Sequence, residues 1–278
     1  MDVNVVHNLA YLETGRMERL DLYRPCAQSE LLPGLVVLHG GGWISGDKAD
    51  AREQEIATEL TGAGYVCASI NYRLAAPERS AWPDCLYDSK NAVRFLRRHA
   101  GEYGIDQARI GVIGCSAGAH LAAMVALTAE MANLEPGAPY PDMSSRVSAA
   151  VLLYGVYHFE TWQPVETDGT PNAFLRAVPR YLFGGSMAEV PDRWREAAPV
   201  HQAHPDAPPL LLIHGLDDVA VPPDQTTELA SALAAAGAPH EVHFQPDAGH
   251  SFDFHPPGAD LTPRVIRFFD THLKHAIA

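Results

Sequence analysis

Gly114-Cys115-Ser116-Ala117-Gly118 reads G-x-S-x-G, and its flanks decide how the rest of the chain is read. A β-rich run, Arg109-Ile110-Gly111-Val112-Ile113, stands before it. Strong helix formers, Ala119 to Leu127, follow it. A serine on a sharp strand-to-helix turn sits in strained backbone with its hydroxyl lifted above the sheet. Glycine at 114 and 118 lets strand and helix approach that turn closely. The context predicts a nucleophile at Ser116; the plainer reading is a glycine-rich turn holding an ordinary serine. A nucleophilic serine also needs a general base, an acid to orient the base, and donors for an oxyanion.

Working outward, short apolar runs recur at Leu35–Leu38, Tyr65–Ile70, Ser148–Leu153 and Leu210–Ile213, and Glu241–Phe244 reads as a last strand. With the run before Ser116 they make six buried strands, and Val3–Leu12 and Arg19–Tyr23 add an antiparallel pair turning at Gly15. Helices are predicted near Glu53–Leu60, from an Asp84 N-cap to about Ala100 with Gly101 as the stop, and after Ser116. Two more follow, one from Pro223 just inside its first turn to Ala236 with Gly237 past its end, and one from Pro263 onward. Strands alternating with helices predict an α/β fold: a mostly parallel eight-stranded sheet with helices on both faces.

Ligands of such sheets sit at the carboxyl ends of the strands. His39-Gly40-Gly41-Gly42-Trp43, the Ser116 turn, the adjacent pair Asp217 and Asp218, and His250 are all predicted there. Three consecutive glycines after a central strand can aim bare N–H groups at a developing oxyanion. Trp43 reads either as a wall for an acyl group or as the packing anchor of that loop.

After the sixth strand the alternation breaks. Residues 154–208 carry Tyr157, Phe159, Trp162, Phe174, Tyr181, Phe183 and Trp194 but no strand-like run. Long stretches of this kind are usually functional, so a lid or cap is expected, with short helices near Phe174–Phe183 and Arg193–Ala198. With no repeats or linkers, residues 1–278 read as one domain.

A net charge of −14 argues against nucleic acid or an anionic membrane as partner, since both demand basic surface. No apolar run approaches the roughly 18 residues of a membrane span. The first residues lack a basic then apolar leader, so a cytoplasmic setting is expected. Cys26, Cys67, Cys85 and Cys115 show no metal or disulfide spacing, and the Cys115 side chain is expected to point away from Ser116. His250, Asp253 and His255 lack the fourth ligand of a structural zinc site, so no metal is expected.

H-G-G-G-W at His39–Trp43 together with G-C-S-A-G-A-H-L at Gly114–Leu121 resembles the α/β-hydrolase family along essentially the whole chain. Within it the pattern is similar to small carboxylesterases related to bacterial feruloyl and acetyl esterases and to hormone-sensitive-lipase-like enzymes. The resemblance implies Ser116 as nucleophile and His250 as general base. The family's H-G-x-x-D-x-x-V-P pattern matches His214, Gly215, Asp218, Val221 and Pro222, which selects Asp218 over Asp217 as the acid. It also implies Gly41, Gly42 and Ala117 as oxyanion donors. The expected function is a serine carboxylesterase acting on short-chain or aryl esters without cofactor or metal. Its partner is a small-molecule ester, and a homodimer is compatible. The histidine after the nucleophile turn and the tryptophan-ended loop also resemble arylformamidases that hydrolyse N-formylkynurenine. A non-catalytic binding protein is the alternative of another class.

Overall fold

The computed structural model describes residues 2–274. Its eight strands form one sheet in the order β1-β2-β4-β3-β5-β6-β7-β8. These are β1 Val3–Leu9, β2 Leu20–Pro25, β3 Leu32–Leu38, β4 Val66–Ile70, β5 Ile105–Cys115, β6 Ala149–Leu153, β7 Leu210–Gly215 and β8 His240–Gln245. β2 runs antiparallel to both of its neighbours, and every pairing from β4 to β8 is parallel. The α/β expectation therefore holds, including the antiparallel edge. β1 stops at Leu9 rather than Leu12, because its register slips between Val6 and Leu9 and Asn8 takes φ 59°.

The inner parallel strands alternate their side chains between two cores, whereas the edge strand β8, expected to be buried, is half exposed because only one neighbour pairs with it. Val36, Leu38, Val112, Leu152 and Leu212 face one core, which takes in Leu86, Val93 and Leu96 of α2 (Asp84–Arg98), Leu121 and Val125 of α4 (Ala117–Leu127), and Leu229 and Leu233 of α7 (Asp224–Ala236). Leu35, Val37, Ile113, Val151, Leu153 and Ile213 face the other, with Ile56 and Leu60 of α1 (Ala51–Gly62) and Val265 and Phe269 of α8 (Thr262–Phe269). A strand apolar on both faces is what two covered faces require. Each fully buried large aliphatic contributes roughly 1.5–3 kcal/mol relative to leaving it in water.

Helix ends depart from expectation by a residue or a turn. Asp84 is the first helical residue of α2 rather than its cap, and its carboxylate is drawn aside to Arg73. α2 ends at Arg98, not at Gly101. One further turn, α3 (Ala100–Tyr103), follows and is closed by Gly104 at φ 71°, the left-handed position that favours glycine. Pro223 sits one residue before α7, and Gly237 closes it at φ 74°. Between β6 and β7 the chain forms α5 (Ala173–Phe183) and α6 (Pro191–Glu196).

The connection β3–α1–β4 winds one way, and β4–α2–β5 returns across β3 to its other side. The carboxyl ends of β3 and β5 therefore flank the point where the winding reverses, which opens a crevice there.

Candidate active site

Ser116 stands between β5 and α4 with φ 53° and ψ −117°, a conformation that costs a non-glycine residue on the order of 1–3 kcal/mol. Crowding holds it there. A Cβ on Gly114 would meet the Gly118 carbonyl oxygen at 2.2 Å, and one on Gly118 would meet the Leu38 carbonyl oxygen at 2.1 Å. The Ser116 N–H also donates to Leu153 O at 2.9 Å, tying the turn to β6.

Ser116 Oγ lies 2.9 Å from His250 Nε2, and His250 Nδ1 lies 2.7 Å from Asp218 Oδ2. These three sequence-predicted residues come from the loops after β5, β8 and β7. Gly215, at the end of β7, lets the β8 loop settle against it, since a Cβ there would meet Ala248 O at 2.2 Å. Asp218 is buried, and its second oxygen accepts the Val221 N–H at 2.8 Å. Burial pushes its carboxyl up, but hydrogen bonds from His214 and His250, the His250 charge and the Val221 amide together hold it below the ordinary carboxylate range. Asp217 is exposed, as expected of a turn residue, and Asp253 spends an oxygen on the His255 amide at 2.7 Å.

The glycine loop bends sharply after β3. Gly41 (φ 108°) accepts the amides of Ile44 and Ser45, and a Cβ on it would lie 2.2 Å from Ser45 O. His39 stacks on Tyr72 with ring centroids 4.2 Å apart, and the Tyr72 hydroxyl donates to His39 O at 2.8 Å. His214 braces the loop after β7 in turn, donating from Nε2 to Val221 O at 2.8 Å. Gly41 and Gly42 line the cavity in front of Ser116. Ala117 begins α4, whose hydrogen-bond ladder opens with His120 N to Ser116 O at 3.1 Å, so the Ala117 N–H precedes the helix's own acceptors.

The cavity measures ≈ 240 Å³ and is walled mainly by apolar side chains. Val156, Trp162, Phe174, Leu175 and Val178 contribute from residues 154–208, facing Trp43, Ile44 and Val221. Trp43 is at once wall and anchor. It lines the cavity, yet is only 1% exposed, with its indole N–H donating to His120 Nδ1 at 3.1 Å.

His120 is a residue the sequence reading left without a task. Its Nε2–H donates to Ala197 O at 2.8 Å while Nδ1 accepts from Trp43, so it joins the glycine loop to the 154–208 stretch. Burial drives its pKa down to about 4, keeping the ring neutral as those two bonds require. A lone imidazole four residues after Ser116, in a helix otherwise apolar, was the available signal. Tyr154 (φ 44°) sets its ring edge-on to His250 at 5.1 Å and holds the His250 loop through a bond to Phe252 O. Arg52, on the cavity wall, directs Nε and Nη2 to one oxygen of the buried Glu53. Cys115 is buried in the core on the α1 and α8 side, away from the cavity, as expected.

Among the described residues no helix is long and apolar enough to cross a membrane. Among proteins of known kind, the chain is 31% identical over 249 residues to the probable carboxylic ester hydrolase LipM of Mycobacterium tuberculosis, covering 88% of this chain and 56% of that protein. It spans about half the length of the first curated relatives it matches. Its structure is similar to the acetyl ester-xyloside bifunctional hydrolase of Caldicellulosiruptor lactoaceticus, with TM-score 0.76 and 25% identity over 93% of this chain and 89% of that one. It is also similar to Thermogutta terrifontis esterase 2 phosphoramylated by tabun, with TM-score 0.70 and 25% identity over 97% and 91%. The BD-FAE family model matches residues 20–233, more than half of the chain, and the protein belongs to that family of α/β-hydrolases.

Proposed function

We propose that this protein is a serine carboxylesterase acting on short-chain or aryl carboxylic esters. The observation that carries the reading is the unbroken chain Ser116 Oγ, His250, Asp218 at 2.9 and 2.7 Å, set on the wall of an apolar cavity. In the reaction Ser116 attacks the ester carbonyl carbon while His250 Nε2 takes its proton. Asp218 fixes the proton on Nδ1 and stabilises the imidazolium. The N–H groups of Gly41, Gly42 and Ala117 receive the oxyanion, each worth about 3 kcal/mol in the transition state. His250 returns its proton to the leaving alcohol, and the acyl group stays on Ser116. A water deprotonated by His250 then releases the acid.

Residues 154–208 serve as the lid of one catalytic domain spanning the chain, a role supported by the five cavity walls they contribute. The relatives' names supply the substrate class: ester hydrolases, with an acetyl ester in one of them.

A formamidase acting on N-formylkynurenine is the second reading, and one observation favours it. Arg52 places a guanidinium on the cavity wall, where the carboxylate of an amino-acid substrate would be received. The test is hydrolysis of p-nitrophenyl acetate, butyrate and decanoate by wild type and Ser116→Ala, with N-formylkynurenine alongside. Ester turnover abolished by the substitution is the expected result. Faster turnover of N-formylkynurenine than of any ester moves the assignment to formamidase. Equal rates in wild type and variant exclude Ser116 as nucleophile, and silence in both favours the binding protein.

A further inference from the structure

Outside the cavity, two groups of described residues bring three ligand-type atoms within 4.8 Å of one another: His158, Glu160 and His201, and Glu55, Glu59 and His255. They differ in how their atoms meet. His255 Nε2 makes an aligned hydrogen bond of 2.7 Å to Glu59 Oε1 on an exposed surface, an ordinary ion pair. The first group does something else.

We propose that His158, Glu160 and His201 are the ligands of a divalent transition-metal ion, with Zn²⁺ the best match. His158 Nε2 and Glu160 Oε2 are 2.7 Å apart, and His201 Nε2 is 3.5 Å from the same oxygen. Yet that oxygen is buried and makes no hydrogen bond: the close His158 ring is not aligned with it, and His201 stands at the limit of hydrogen-bond distance. Charged partners free to pair would align, since such bonds are the strong ones. Atoms that crowd without aiming at each other are arranged as ligands around a shared point. The separations bracket the roughly 3.3 Å edge of a tetrahedron with zinc–nitrogen and zinc–oxygen bonds near 2.0–2.1 Å.

The tautomer agrees. His158 Nδ1 sits 2.5 Å from Glu228 Oε2, an oxygen that also accepts the Thr161 hydroxyl at 2.7 Å. An acceptor-only carboxylate at Nδ1 places the proton there and leaves Nε2 unprotonated, its lone pair available to an ion. Metal-binding histidines are usually oriented by such a carboxylate. Glu160 and Glu228 together balance the charge of a dication, and two imidazoles with one carboxylate suit zinc better than the hard, oxygen-loving ions.

The ion would join the two ends of the 154–208 stretch. His158 and Glu160 lie just after β6, and His201 lies in the turn Pro199–His201 before β7. Phe159, between two of the ligands, packs against Trp43 and His120. None of the ligands lines the Ser116 cavity, so this site is independent of the ester chemistry. The spacing H-x-E with a distant histidine belongs to no pattern that a sequence scan would select.

The experiment is titration of the chelator-treated 278-residue chain with Co²⁺ and then Zn²⁺. The expected result is one Co²⁺ per chain with the intense visible bands of a four- or five-coordinate ion, displaced by Zn²⁺, and a rise in melting temperature. His201→Ala and Glu160→Gln should abolish the bands, and Glu228→Gln should weaken binding by about 10- to 100-fold. Metal-free melting temperatures of the variants, matched to metal-free wild type, establish that they are folded. Co²⁺ binding no tighter in wild type than in His201→Ala overturns the proposal. So does binding that survives His201→Ala and is lost in His255→Ala, which would assign the ion to the other group.

Discussion

The Ser116 turn and the 154–208 stretch meet across the same cavity but are held by different means. At the turn, backbone presses on backbone: Gly114 and Gly118 each stand where a methyl group would fall within 2.2 Å of a carbonyl oxygen. Across the cavity, position is set by side chains leaning on one another. Phe159 touches Trp43, His120, Phe183 and Trp194, and Trp162 donates its indole N–H to Ala220 O at 2.9 Å. Backbone crowding is unforgiving and leaves one geometry. Side-chain stacking accepts substitutions of similar volume at modest cost. Under the proposed esterase reading, the reacting atoms sit on the first kind of support and the substrate-facing wall on the second, so the wall is free to vary while the chemistry stays in place.

The largest effect expected on the rigid side is chemical. Asp218→Asn should lower kcat by about ten-thousandfold, because an amide cannot hold the His250 tautomer. Near-wild-type turnover on p-nitrophenyl acetate would remove Asp218 from the mechanism. Next comes Gly118→Ala, expected to destabilise by about 4 kcal/mol or to prevent folding, measured by urea unfolding. Gly42→Ala is its control. Unlike the helical Gly118, that residue is at positive φ (59°), but the nearest atom to an added Cβ is 3.6 Å away, so about 1–2 kcal/mol is expected. Equal losses in the two variants would show that crowding is not what holds the turn.

His120, where the two supports join, carries a pH signature. Its pKa falls from 6.5 to about 4 on folding. Above pH 6.5 both states are neutral and the full stability is present. As pH drops toward 4 the unfolded chain takes up a proton that the folded chain refuses, and stability falls by on the order of 3 kcal/mol. His120→Phe should flatten this slope in urea unfolding between pH 7 and pH 4.5, and an unchanged slope would place the sensitivity elsewhere. The smallest effect belongs to the tolerant wall. Phe174→Ala truncates a cavity-lining side chain that is 63% exposed, and should shift the ratio of butyrate to acetate turnover by about tenfold at most. A collapse of all activity in that variant would contradict a tolerant wall around a rigid turn.

The same division explains what could be read from the residues alone. Glycines forced by crowding leave a mark in sequence, and so the Ser116 turn and the His39–Trp43 loop were legible, as the strands were from their hydrophobic runs. So were Asp218 and His250, through local patterns next to the strands that carry them. Arg52 was not, since nothing in a helix's second residue announces that it will reach a cavity wall. Nor was the contact of His120 with Ala197, 77 positions away, because side-chain partners across that distance have no local spacing. Helix ends slipped where a neighbour competed for the capping residue, as Arg73 does for Asp84.

Tyr154 belongs to both neighbourhoods: it is the first residue after β6, yet its ring and hydroxyl steady the loop that carries His250. For anyone exchanging segments between relatives to alter substrate range, this sets the splice point. A graft beginning at Tyr154 would import a new bearing for the histidine along with a new wall. One beginning beyond Val156 would leave the bearing native and change the wall alone.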